Sequence, residues 1–268
     1  MQKLPSWKQY CNDIEKHGLK PDRNNIVGAY IFLNDIKIKR VGPSPKITDS
    51  MGKEPIREFS YKSRKNLMFV ASNTEVIFKV VLTLTFPTWF PTNGKIIKKM
   101  LRKFLNHLLK HFDGLEYLWF CEFQERGAPH FHVLLSCKEY SVEFAHWVAF
   151  EWFMIVGSRD WEHLKTGTRT EKIREQEGGK RYAVKYGAKM KQKEVPEGFE
   201  NVGRFWGHSK GVKPILKDVK AGDTDVLLEM FTQNKWVKRA IEKEYEIVYN
   251  VSSSIQEIPI VDIGDHHE

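Results

Sequence analysis

Cysteine is scarce in this chain: three in 268 residues (Cys11, Cys121 and Cys137), odd in number, widely spaced and without a C-x-x-C pair. That pattern argues against a disulfide framework and a cysteine zinc site, and it suits a reducing compartment. Long apolar runs are missing too. None approaches the roughly 20 residues that a bilayer-spanning helix requires, and Met1–Pro5 opens without the apolar core of a signal peptide. The sequence therefore predicts a soluble, cytoplasmic protein without a membrane partner. Internal repeats, low-complexity tracts and the phosphate-binding pattern G-x-x-x-x-G-K-[ST] are likewise absent. Acid is in deficit: 43 Lys and Arg stand against 34 Asp and Glu, a net charge of +9. The deficit reverses only after Asn250, where Glu257, Asp262, Asp265 and Glu268 occur with no Lys or Arg. A basic body suits a polyanion, nucleic acid before an anionic membrane.

Apolar and aromatic residues are plentiful. At 41% hydrophobic, with 8 Trp, 17 Phe and 9 Tyr, the chain has material for a packed core, which excludes global disorder. The first 75 residues are patchy, with the apolar piece Ile26–Leu33 set apart by the loop-like Gly42-Pro43-Ser44-Pro45. Val76–Phe86 reads as a strand, and Asn93-Gly94 opens an amphipathic helix to about Phe112. Leu115–Gln124 and His130–Ser136 read as a hairpin broken at Glu125–Pro129, followed by a helix over Ser141–Val156 and a strand over Thr168–Arg174. A short helix is expected at Lys180–Lys193, a loop-rich stretch at Val195–Pro214 and a last helix over Asp225–Tyr245. The predicted fold class is α+β, a ferredoxin-like split βαβ unit with a central antiparallel sheet and terminal extensions. The expected organisation is an N-terminal extension (1–75), a catalytic domain (76–215), a C-terminal helix (216–250) and an acidic flexible tail (251–268).

Two pieces of the sequence carry chemistry. In a strand, His130 and His132 project to one side while Phe131, Val133 and Leu135 go to the other. Folding the hairpin over a five-residue loop is expected to set Gln124 opposite His130 and Glu122 opposite His132. Two imidazoles and a carboxylate from Glu122, with Gln124 in reserve, suit a divalent ion with open positions. A histidine pair on a half-exposed strand also reads as ordinary surface. The second piece is Arg181–Lys189. At about 100° per residue, with Tyr182 at zero, Tyr186 falls near 40°, Lys189 near −20° and Lys185 near −60°. Two phenols and two ammoniums thus share one arc. A tyrosine, whose pKa is about 10, becomes nucleophilic when a nearby cation favours the phenolate. The bland reading is an aromatic pair packed on the core.

Together these residues resemble a known family. Val81–Thr85, Pro129–Leu135 and Tyr182–Lys189 look like the three ordered motifs of the HUH endonucleases, most similar to two-tyrosine rolling-circle replication initiators of phages and plasmids. The tyrosine-x-x-lysine pattern occurs twice, as Tyr182 with Lys185 and Tyr186 with Lys189, and Gly203–Gly207 resembles a segment of phage-type initiators. The resemblance spans about residues 76–207. It implies nicking and rejoining of single-stranded or hairpin origin DNA through a 5′-phosphotyrosine, with Mg²⁺ or Mn²⁺ held by His130, His132 and a third ligand, Glu122 or Gln124. It implies Tyr182 and Tyr186 as nucleophiles, Lys185 and Lys189 beside them, and a host helicase as transient partner in a bacterial or virus-infected cell. A two-tyrosine transposase and a non-catalytic DNA-binding module are the alternatives. Lys98, Lys99 and Arg102 read first as a solvated helix face and second as phosphate contacts. Arg204 and Trp206 mix cation and aromatic as single-strand stacking sites do, although Phe205-Trp206 also suits a core plug.

Overall fold

The computed structural model describes residues 26–40, 56–137, 141–173, 194–223, 237–242 and 245–250. In chain order the elements are β1 (Ile26–Phe32), β2 (Ile36–Arg40), α1 (Tyr61–Ser72), β3 (Val80–Leu84), α2 (Gly94–His111), β4 (Tyr117–Phe123) and β5 (Pro129–Leu135). They continue with α3 (Val142–Val156), α4 (Trp161–Thr166), β6 (Thr168–Lys172), β7 (Trp206–His208), β8 (Leu216–Asp223), β9 (Val237–Glu242) and β10 (Tyr245–Asn250). The chain divides into two compact units, one of Met51–Lys213 and one of Met1–Ser50 with Pro214–Glu268.

The larger unit is built on a five-stranded sheet of order β6-β3-β5-β4-β7 with every neighbouring pair antiparallel. β5 lies at its centre, and its alternation decides the layering. Phe131, Val133 and Leu135 turn to the face covered by α2 and α3 and are fully buried. Helix α2 forms because Asn93 caps it, its side chain accepting from Lys95 N at 3.0 Å, and because Ile97, Leu101, Phe104 and Leu108 recur on one face. Helix α3 starts on a Ser141 cap (3.1 Å from Phe144 N) and stops at Gly157 in the left-handed conformation, φ 68°. The two helices meet through Phe104, which lies edge-on to Trp152 at 5.7 Å, and Trp152 in turn meets Phe86 at 5.3 Å. These contacts join the helix layer to the sheet.

Two features of this unit depart from expectation. Helix α1 lies in what reads as a patchy extension, because its buried residues Leu67, Val70 and Ala71 crowd its second half instead of forming a stripe. It caps on Ser60, and Phe59 just before it stacks on Phe205 at 5.1 Å, so residues of the N-terminal segment are part of this core. The strand expected to Arg174 ends at Lys172. Residues 174–193, with the expected tyrosine helix, lie outside the described residues, as does the acidic tail.

In the smaller unit, β1 pairs with β2 and with β8, giving the order β2-β1-β8, and β9 pairs with β10. The helix expected over Asp225–Tyr245 is corrected here: 237–242 and 245–250 are antiparallel strands, and 216–223 is a strand as well. The alternation Tyr245, Ile247, Tyr249 against Glu246, Val248, Asn250 is a strand period rich in β-formers, and it outweighs the helical reading.

Gly94 marks the tightest approach in the larger unit. Its N–H donates to Glu200 O at 2.7 Å, and a Cβ there would lie 2.1 Å from Asn201 O. Gly94→Ala is expected to cost about 1–3 kcal/mol of stability, measured by urea unfolding; unchanged stability would mean that this contact is not made.

Candidate functional site

The face of the sheet opposite α2 and α3 carries the chemistry. His132 in β5 is opposite Phe120 in β4 and Thr83 in β3, and His130 is opposite Glu122. This corrects the expected register, in which Gln124 faces His130 and Glu122 faces His132. The physical cause is the tight loop: Gly127 adopts φ 80°, Gly127 N donates to Gln124 O at 2.8 Å, and Gln124 N donates to Ala128 O at 2.9 Å. The pairing therefore moves by two residues. A shift of two keeps every side chain on its own face, so Glu122, His130 and His132 still share one surface.

Within that surface Glu122 and His132 are 3% and 4% exposed. Glu122 Oε2 lies 3.5 Å from His132 Nε2, while Glu122 Oε1 is buried without a hydrogen-bond partner among the described residues. The His130 and His132 ring centroids are 4.6 Å apart, and His132 stacks on Phe120 at 4.9 Å. On its other edge His132 Nδ1 lies 3.3 Å from Thr83 Oγ1. Thr83 was not singled out from sequence. Its signal was there, a hydroxyl alternating with Val and Leu inside an apolar strand. Among the described residues, no group of three His, Cys, Asp or Glu side chains is gathered closely enough to hold a metal ion as it stands.

The other expected site residues fall in three places. Gln124 is drawn into the loop, where its Oε1 accepts from Arg126 Nε at 3.0 Å; Arg126 in turn donates to Pro87 O at 2.8 Å and Phe86 O at 2.5 Å, pinning the hairpin to the segment after β3. Lys99 and Arg102 are exposed on α2, on the layer behind the sheet, away from the histidines. Lys98 is not part of that solvated face. Its Nζ is buried over the rings of Trp119 (4.6 Å) and Phe131 (4.9 Å) and has no hydrogen-bond partner among the described residues. A cation so placed serves packing and ring contact, not phosphate. Arg204 is exposed; Trp206 is half-buried in β7, opposite Phe120, with its Nε1–H donating to Ser63 Oγ at 3.1 Å. Tyr182, Tyr186, Lys185 and Lys189 lie outside the described residues.

Against known proteins, residues 79–191 match the model of a replication-associated protein family of the ORF2 type. That stretch is similar to replication-associated proteins. It begins at the start of β3, contains the Glu122, His130 and His132 cluster, and extends over Tyr182 and Tyr186. No curated protein and no solved structure matches the chain. Among the described residues, no helix is long and apolar enough to cross a membrane.

Burial pushes the Lys98 amine below its ordinary value near 10.5, with the neighbouring Cys121 opposing the shift. The unfolded chain therefore holds that proton more readily, so the stabilising contribution of Lys98 is present above pH 10.5 and is lost as pH falls through its lowered folded value. Lys98→Met is expected to raise the midpoint of thermal unfolding at neutral pH, and the gain is expected to shrink as pH climbs toward 10.5. A gain that grows with pH would contradict the buried placement.

Proposed function

We propose that this protein initiates rolling-circle replication as an HUH-type nickase and strand transferase acting on single-stranded or hairpin origin DNA. The observation that carries the reading is the convergence of Glu122, His130 and His132 on one face of an antiparallel sheet, within the stretch that matches replication-associated proteins. The order β6-β3-β5-β4, with α2 between β3 and β4 and α3 between β5 and β6, agrees with a ferredoxin-like split βαβ unit.

The donor chemistry fits a divalent ion. Two imidazoles and a carboxylate are hard-to-borderline ligands that suit Mg²⁺ or Mn²⁺, and the buried Glu122 Oε1 has no competing hydrogen bond among the described residues. Bound there, the ion would polarise the scissile phosphate and neutralise charge that builds on it. Thr83 acts as a positioning residue. If Nδ1–H of His132 donates to Thr83 Oγ1, Nε2 is left with its lone pair on the site side, facing Glu122. Phe120 beneath the His132 ring limits its rotation.

In the proposed reaction, the phenolate oxygen of Tyr182 or Tyr186 bonds to the phosphorus. The bond from phosphorus to the 3′ oxygen breaks, and that oxygen takes up a proton as a 3′-OH that primes synthesis. Lys185 and Lys189 would favour the phenolate over the phenol. The second tyrosine attacks the regenerated junction, so the first linkage is resolved by transfer. Strand separation would come from a host helicase.

A covalent-capture assay tests this reading directly. Protein mixed with a randomised single-stranded DNA pool and Mn²⁺ is expected to give an adduct stable to denaturation. EDTA, His132→Ala, and Tyr182→Phe combined with Tyr186→Phe should each abolish it. An adduct that survives in the double tyrosine variant would refute the mechanism. Thr83→Val is expected to weaken Mn²⁺ binding about 10- to 100-fold, read by isothermal titration. Unchanged affinity would remove Thr83 from its positioning role.

A further inference from the structure

The histidine face continues in a straight line across all five strands. Register places Arg169 opposite Thr83, Thr83 opposite His132, His132 opposite Phe120 and Phe120 opposite Trp206. Directly opposed residues of antiparallel strands point to the same side, so these five form one row at right angles to the strands. With strands about 4.8 Å apart, Trp206 stands about two strand spacings, roughly 10 Å, from His132.

The row ends on β7 at a cleft of about 680 Å³. That size falls within the range of roughly 300–1,000 Å³ usual for small-ligand sites. One wall is the segment Ile56–Ser63 leading into α1, and the other is Gly203–His208. The lining mixes ring and cation. Trp206 and His208 lie with rings nearly parallel, centroids 5.9 Å apart, and Trp206 is fixed in azimuth by its bond to Ser63. Arg57 and Arg204 line the same space, both exposed, and among the described residues neither is in an ion pair; Glu58 is the carboxylate present. The position of β7 is itself held firmly. Ser209 Oγ donates to Glu116 Oε2, Gly211 N donates to the same oxygen at 3.0 Å, and Tyr117 N donates to Ser209 Oγ at 2.8 Å.

We propose that this cleft is a nucleotide subsite: it takes one unpaired nucleotide of a single strand running along the row, with the base stacked on Trp206 and the flanking phosphates met by Arg57 and Arg204. The assignment rests on the reading of the protein as one that acts on single-stranded DNA, and it names where that strand leaves the site. Aromatic platforms joined to cations are what single-strand sites use when they bind without reading sequence. An added peptide strand is the weaker occupant, because β7 offers only Trp206–His208 as an edge. The subsite also gives the N-terminal segment a task, since Arg57 and Ser63 come from residues ahead of the stretch that matches replication-associated proteins.

The test uses the full chain and a fluorescein-labelled oligothymidylate, read by anisotropy across a salt series. Arg57→Ala with Arg204→Ala is expected to weaken binding about tenfold and to flatten the salt dependence by about one unit of slope. Both side chains are exposed, so the double variant is expected to fold. In parallel, an oligonucleotide carrying iododeoxyuridine is photo-crosslinked and the modified peptide mapped by mass spectrometry; the crosslink is expected at Trp206 or His208. Binding and salt slope equal to the parent, or a crosslink confined to other peptides, would overturn the subsite. The covalent adduct from the randomised pool separates the two readings. An adduct with no Trp206 or His208 crosslink defeats the subsite alone, whereas a mapped crosslink without any adduct defeats the nickase and leaves the subsite standing.

Discussion

The alternation of a single seven-residue strand governs the larger unit. β5 is hydrogen-bonded on both sides, by β3 and by β4, so it has no freedom to slide or rotate. Its odd-numbered residues Phe131, Val133 and Leu135 go to the helix layer, and that burial fixes where His130 and His132 must project. The pair is therefore oriented by hydrophobic packing on the far side of the sheet. Direct contacts refine this: Thr83 on one edge of the His132 ring, Phe120 across its face and Glu122 at Nε2.

Close packing behind the sheet depends on unusual residues. Gly207 lies opposite Trp119, and a Cβ on it would come within 2.8 Å of the indole nitrogen. Only glycine lets that ring lie flat along the sheet, where it and Phe131 receive the Lys98 ammonium. Cys121 between them is buried, and desolvation raises its thiol pKa above the ordinary value, so it behaves as a small apolar residue. Cys137 is similar, its thiol pushed up to about 11. The described cysteines thus serve packing, as the absence of any paired spacing in the sequence suggested.

Much of this was legible in the sequence, for identifiable reasons. Strands β3 to β6 and helices α2 and α3 announce themselves by clean periods and by caps at Asn93, Ser141 and Gly157. The His130, His132 and Glu122 cluster was legible because strand parity survives an error of two in register. The register itself was not, since it depends on Gly127 closing a tighter loop than residue spacing reveals. Lys98 was misread because it sits at the edge of the α2 stripe, next to Ile97, and its burial depends on rings distant in sequence. Helix α1 lacks an even stripe, and the β9–β10 hairpin was hidden by a charge density that suits a helix as well. Thr83, Phe120 and Arg57 gain meaning only from neighbours that the fold supplies.

The row from Arg169 to Trp206 draws its members from five strands that are far apart in sequence, and those strands are not equally secure. Thr83, His132 and Phe120 belong to strands bonded along both edges, so their amides exchange with solvent only when the whole sheet opens. Trp206 belongs to a three-residue edge strand that is bonded on one side alone. Such an edge opens at a small fraction of the global unfolding free energy. One end of the row is thus as durable as the domain, while the other breathes independently, so a strand threaded along it could be released from the tryptophan end while the histidine pair stays in place.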